Sequence, residues 1–256
     1  LIFTVDNGIN AFAAAEVCKE RGIDLIITDH HTPSDTLPDV YTIVDPKLPD
    51  DTYPFKEICG AQVAWLVLVL VKKELSLTIN MGQFLPLLAL AVVADVMPLI
   101  GINRAIVQHG LNQMMTSTLP AFTIIREFFN KASLSAEDIG FQIAPRINSA
   151  GRLEDASIAL EFLTAETPDR AFRQFDLLNQ LNDLRTAIEA DVTEEAIGQV
   201  SRGDNVLVVA GEEWNEGVVG IVASRLVHRF GRPAIVLSIS EGRAKGSARS
   251  IGSVSI

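Results

Sequence analysis

Cysteine is nearly absent: Cys18 and Cys59 are the two in 256 residues, too few for a disulfide framework. Both lie in apolar stretches and read as small buried hydrophobes. Aromatic residues make up 6%, and none forms the basic-aromatic stripe of a base-stacking surface. Phe230, Tyr41 and Tyr53 therefore read as core or loop packing, whereas Trp214 stands out by preceding the polar Asn215-Glu216-Gly217 turn at a helix start. Positive charge is in deficit, with 21 Lys and Arg against 32 Asp and Glu and a net charge of −11. That balance excludes nucleic-acid binding by bulk surface electrostatics, while leaving room for a local basic groove or an acidic site for cations. No apolar run approaches the ~18 residues of a membrane span. The run at 63–71 is too short, and Asp95 interrupts the one at 84–100. Without a membrane span, signal peptide or basic targeting run, a cytoplasmic protein is the expectation. There is also no initiator Met: the chain opens inside an apolar β-branched run and closes at Ser255-Ile256 within an alternating one. Both ends read as cuts in a longer protein.

What is present is a strand–helix alternation. Residues 1–5 read as a buried strand ending at Asp6-Asn7-Gly8, followed by a helical pattern over 11–21. A second apolar run, 24–28, ends at Asp29, and a third, 42–44, ends at Asp45-Pro46. This spacing predicts a parallel sheet with polar residues gathered at the carboxyl ends of its strands, the edge where open α/β sheets bind ligands. From residue 60 the pattern turns helical, over 60–75, 81–94, 103–115 and 120–132, with a short helix capped by Ser135. Residues 144–152 read as a polar loop, 156–163 as a helix, and 169–201 as one long charged helix connecting two domains. A second α/β unit follows: strand 206–210, helix 218–230, strand 234–238 and a last segment over 246–251. The domain boundary is expected near residue 200.

Asp29-His30-His31 directly after a buried strand is the strongest local signal. Asp6 ends the strand one unit earlier, and Asp95 interrupts an apolar helical run where an unpaired carboxylate is costly to bury. Carboxylates and imidazoles converging on one sheet edge make a metal-site constellation. Oxygen and nitrogen ligands without sulfur favour Mn²⁺ or Mg²⁺, and two such ions roughly 3.5–4 Å apart suit in-line attack of water on a phosphate ester. Arg146 and Arg152, with Asn148 and Ser149 between them, offer forked donors to phosphate oxygens. The small residues around Ser247 and Arg249 allow close backbone approach to an anion.

These residues also resemble a family. Val5-Asp6-Asn7-Gly8-Ile9, Asp29-His30-His31 and Val93-Ala94-Asp95-Val96 are similar to the second, third and fourth motifs of the DHH phosphoesterase superfamily. Pro145-Arg146-Ile147-Asn148-Ser149-Ala150-Gly151-Arg152 and Lys245-Gly246-Ser247-Ala248-Arg249-Ser250 resemble its single-strand-specific exonuclease branch, in order and along the whole chain. The resemblance implies a DHH phosphoesterase domain at 1–110, a helical region with the connector helix at 111–202, and a DHH-associated substrate-binding domain at 203–256. It implies Asp6, His30 and Asp95 as metal ligands, His31 against the scissile phosphate and Asp29 orienting the histidines. Asp45 matches no family role and reads as the cap of the turn before Pro46. Arg146, Asn148, Ser149, Arg152, Ser247 and Arg249 are the implied substrate ligands.

The implied activity is a two-metal, Mn²⁺- or Mg²⁺-dependent 5′-to-3′ exonuclease that releases mononucleotides from single-stranded DNA in repair and recombination. A helicase or a single-strand-binding protein would be its partners. Two departures stand out. The superfamily's first motif, Asp-x-Asp, is not in this sequence, so this piece alone is expected to be inactive. Asn215 stands where a histidine is usual, and asparagine does not titrate. The alternatives are a DHH enzyme on oligoribonucleotides or cyclic dinucleotides and a non-catalytic replication scaffold. The 146–152 segment argues against the first. Intact Asp6, His30, His31 and Asp95 argue against the second.

Overall fold

The computed structural model describes residues 1–201 and 203–252; the end of the expected alternating segment at Ser255-Ile256 lies outside them. The backbone falls into two compact units, Leu1–Thr118 with Arg126–Ala144, and Leu119–Ile125 with Pro145–Ile256.

In the first unit, β1 (Ile2–Val5), β2 (Leu25–Thr28) and β3 (Thr42–Val44) form a parallel sheet in that order. Ile, Val and Thr dominate them, as suits a pleated sheet; β2 is buried, whereas β1, expected to be buried, is largely exposed. Helix α1 (Phe12–Glu20) links the first two strands, and Ala15 packs on Leu25 and Ile27. Val5 is in register with Thr28, and Thr28 with Val44. The next residue of each strand, Asp6, Asp29 and Asp45, therefore stands at one common edge. Gly8, at φ +117°, makes the turn after Asp6 where an added Cβ would stand 3.1 Å from Ile27.

The helices α2 (Gly60–Glu74), α3 (Leu85–Ala94) and α4 (Gly101–Met114) follow. Almost every face of α3 is apolar, and half of its residues are buried. It packs on α4 where Gly110 has no side chain, since a Cβ there would lie 2.4 Å from the Leu85 carbonyl oxygen. Asp95 is the C-cap of α3. After α5 (Pro120–Phe129), a capping box of Ser135 and Asp138 opens the one-turn α6 (Ala136–Asp138). Next comes a wide π turn, Ile139–Ile143.

The 144–152 segment is not the loop expected from its polarity. It is helix α7 (Ala144–Leu153), which continues out of the π turn. Pro145 stands at its start, where a missing N–H is tolerated. The buried Ala144 and Ala150 give the polar stretch an apolar side.

The second unit holds α8 (Ser157–Leu163), α9 (Pro168–Gln199), β4 (Leu207–Glu212), α10 (Glu216–Phe230), β5 (Ala234–Ser240) and β6 (Arg243–Arg249). β5 pairs parallel with β4 and antiparallel with β6. Glu241 and Gly242, both at positive φ, make the two-residue turn that suits this hairpin. The long charged helix α9 contributes to the core of this unit. Val192 and Ala196, one turn apart on α9, enter the same core as Leu207, Val209, Val222, Leu226 and Val236. Residues 171, 175, 178 and 181 bury an earlier face of the same helix.

Candidate functional site

Three expected ligands converge at the carboxyl edge of the first sheet. His30 Nε2 lies 3.1 Å from Asp6 Oδ1 and 3.3 Å from Asp95 Oδ2. Neither contact has hydrogen-bond geometry: both ring nitrogens of His30, which is 5% exposed, lack a hydrogen-bond partner among the described residues. An imidazole buried without a partner is costly, and a nitrogen facing two carboxylate oxygens is the donor set of a divalent cation. Asp6, His30 and His31 each offer a ligand atom within 4.8 Å of the others. The residues present therefore fit such an ion.

The electrostatics agree. Burial, with Asp6 alongside, pushes the Asp95 carboxyl above its ordinary range, and His30 opposes the shift. The backbone is strained at the same place: Asp6 has φ +64° and Val96, directly after Asp95, φ +55°. A β-branched residue in the left-handed region is uncommon and clusters with functional sites.

Asp29 is buried, and its carboxylate is filled. Oδ2 accepts from Ile9 N at 3.0 Å, and Oδ1 from His30 N at 2.8 Å, His31 N at 3.3 Å and His31 Nδ1 at 2.6 Å. Burial works to raise its pKa, yet these donors together hold it below the usual carboxylate value. The bond to Asp29 in turn raises the His31 pKa, against a weaker effect of desolvation. Asp29 thus orients the ring of His31, while it meets His30 through the backbone alone. The His31 ring is exposed. Asp45 caps the turn as expected, accepting from Lys47 N at 2.8 Å, and burial raises its pKa. Cys59 is buried and its thiol is pushed up to about 11 by desolvation, in keeping with an inert hydrophobe.

The second unit has a cavity of about 370 Å³ lined by Arg152, Gly217, Lys245, Gly246, Ser247 and Arg249 among others. Arg249 Nη1 donates to Ser247 Oγ at 2.9 Å. Arg152 Nη1 donates to the Gly217 carbonyl at 2.8 Å, and Lys245 pairs with Glu216 at 2.5 Å. Burial, with Arg185 near, pulls the Arg152 pKa down. Three of the expected substrate ligands, Arg152, Ser247 and Arg249, meet here.

The other three do not line the cavity. Arg146 is half-buried and its Nε donates to Asn179 Oδ1 on α9 at 2.6 Å. Asn148 is exposed. Ser149 is fully buried and its Oγ donates to the Arg146 carbonyl at 2.6 Å, a helical back-bond. Trp214 likewise is no stacking platform, being buried in the core with Nε1 donating to Glu195 at 2.8 Å. Asn215 is the N-cap of α10, accepting from Gly217 N at 2.8 Å. Lys245 had no expected role of its own, although it opens the glycine-rich stretch singled out in the sequence. Nothing in the sequence pointed to Asn179, which meets Arg146 only in three dimensions.

Residues 1–92 match the DHH family, N-terminal domain, and residues 203–256 the DHHA1 domain. Over 258 residues the chain is 45% identical to the single-stranded-DNA-specific exonuclease RecJ of Bacillus subtilis (strain 168), covering 98% of this chain and 32% of that protein. The crystal structure of RecJ from Thermus thermophilus in complex with Mn²⁺ matches at a TM-score of 0.88 and 34% identity, over 99% of this chain and 38% of that one. The Mg²⁺ complex matches at 0.80 and 31%, over 99% and 36%. The chain thus spans about a third of the length of these relatives.

Proposed function

We propose that this chain, whose residues 1–92 match the DHH family, N-terminal domain, and 203–256 the DHHA1 domain, is the catalytic core of a RecJ-like exonuclease. The proposed reaction is Mn²⁺- or Mg²⁺-dependent hydrolysis of single-stranded DNA from its 5′ end, releasing mononucleotides. The setting is cytoplasmic DNA repair and recombination, with a helicase or a single-strand-binding protein supplying or covering the strand. The observation that carries this reading is the buried His30 ring, its Nε2 facing Asp6 and Asp95 with no hydrogen-bond partner among the described residues. Among the described residues no helix is long and apolar enough to cross a membrane.

Asp6, His30 and Asp95 would hold the cation. When bound, a divalent ion supplies Lewis acidity toward a phosphate oxygen and eases deprotonation of water. The protein's own part is positional and protonic. Asp29 takes the Nδ1 proton of His31 into a hydrogen bond, which fixes the tautomer and leaves Nε2 toward the scissile phosphate. The raised His31 pKa favours donation of a hydrogen bond or a proton to a phosphate oxygen. Arg152, Ser247 and Arg249 would bind a phosphate of the strand, their forked and hydroxyl donors matching its oxygens.

The test is release of mononucleotides from 5′-phosphorylated single-stranded DNA with Mn²⁺. It is run for this chain, for the full-length protein of its own gene, and for each with His30→Ala. Metal-dependent release by the full-length protein, lost with His30→Ala, is expected. Release that His30→Ala leaves intact overturns the assignment of the site.

A further inference from the structure

Asn103, near the start of α4, is fully buried, 46 and 5 residues from the two groups its side chain holds. Nδ2 donates to the Glu57 carbonyl at 2.7 Å and to the Pro98 carbonyl at 3.0 Å. Its Oδ1 has no hydrogen-bond partner among the described residues. The amide is thus fixed by its two donor bonds alone.

Those two carbonyls belong to the segments that deliver the two acids. Pro98 lies three residues after Asp95, beyond the left-handed Val96. Glu57 lies three residues before Gly60, the first residue of α2. Gly60 rests directly on Asp6: a Cβ added there would stand 2.3 Å from Asp6 Oδ1 and 2.5 Å from its Cα. One buried amide therefore ties the segment behind Asp95 to the helix start that backs Asp6.

We propose that Asn103 is a positioning residue of the metal centre: by holding the Glu57 and Pro98 carbonyls on one amide, it sets the separation of Asp6 and Asp95. The proposal rests on the metal reading given above. Two like charges facing one imidazole push apart when no cation lies between them. A rigid tie behind them keeps the cation's place formed in advance, so that binding does not spend its free energy on ordering the loops. Residues that orient metal ligands in this way cost about 10–100-fold in metal affinity when removed.

The experiment is calorimetric titration of the full-length protein of this chain's own gene with Mn²⁺ alone, paired with thermal unfolding in EDTA. The proteins are wild type, His30→Ala, Asn103→Ala and Asn103→Ser. The expected result is a Kd for Mn²⁺ raised about tenfold or more by Asn103→Ala, with Asn103→Ser, which keeps one donor, in between. If Asn103→Ala melts earlier yet binds Mn²⁺ as wild type does, Asn103 only packs and the proposal falls. Should Asn103→Ala fail to fold, Asn103→Ser decides by the same comparison. Wild type and His30→Ala both failing to bind Mn²⁺ would instead remove the metal reading, and this proposal with it.

Discussion

Asp29 Oδ1 lies 2.6 Å from His31 Nδ1 and shares that oxygen with the backbone N–H groups of His30 and His31. One buried carboxylate thereby organises both the turn and the ring. Asp29→Asn keeps the volume but removes the charge. His31 should then titrate lower than in wild type, read by NMR in metal-free protein, and cleavage should fall while the fold persists. An unchanged His31 titration would sink this account. Asp29→Ala leaves three backbone N–H groups unpaired, those of Ile9 and His30 buried, and should cost on the order of 2 kcal/mol in urea unfolding.

The same pair sets a pH window for stability. The folded pKa of Asp29 is depressed below its ordinary 3.8, so its contribution is present above that value and lost as pH falls through the folded pKa. The folded pKa of His31 is raised above its ordinary 6.5, so its contribution is full below that value and lost as pH rises through the folded pKa. The pair should stabilise metal-free protein most between those limits. Thermal unfolding against pH should show a maximum there that Asp29→Asn flattens, and equal flattening in both proteins is the contrary result.

Asp95 should trade stability for metal. Its carboxyl is pushed up by burial and by Asp6, so metal-free protein loses stability as pH rises through that pKa. Asp95→Asn should therefore melt no earlier than wild type in EDTA at neutral pH, and should lose the upward shift of Tm that Mn²⁺ gives by binding the native state. A variant that melts earlier in EDTA and still gains from Mn²⁺ would reverse the reading.

The parallel sheet was legible because its strands are β-branched and each ends in an aspartate, so register alone brings Asp6 and Asp29 to one edge. Asp95 was legible as a charge within an apolar run. The helix α7 was not: Pro145, Asn148 and Ser149 read as a loop, whereas the segment is helical with Ala144 and Ala150 buried. The long helix α9 was legible as one charged helix, but the core that its last turns complete was not. Contacts between distant segments, such as Arg146 with Asn179 and Asn103 with Glu57, leave no periodic trace in a single sequence.

Arg152 and Arg249 should act on substrate engagement rather than on chemistry. Both line the cavity of the second unit, so Arg152→Ala or Arg249→Ala in the full-length protein should raise KM with a smaller change in kcat. Each should also shallow the salt dependence of single-strand binding by about one phosphate contact. Loss of kcat at unchanged KM would contradict the assignment. Arg146→Ala, which breaks the bond to Asn179, should show mainly as lost stability.

Glu189 is the chain's one fully buried glutamate ion pair among the described residues, with Arg185 on its own helix and Arg225 Nε on α10 at 2.5 Å. Burying a carboxylate costs several kcal/mol that two guanidinium partners offset, and breaking such an arrangement from one side typically costs about 3–5 kcal/mol. Arg225 is half-exposed, so water can screen it when the acid is gone; Arg185 is largely buried and cannot be screened as well. Glu189→Gln should therefore destabilise the chain by about 2–3 kcal/mol, below the typical range because one partner reaches solvent. Arg225→Ala should cost less, since Glu189 keeps Arg185. The double variant should fall short of the sum, because the two changes remove one shared interaction. Urea unfolding of the three proteins gives the comparison, and strict additivity would mean that the Glu189–Arg225 contact contributes nothing to holding α9 against α10.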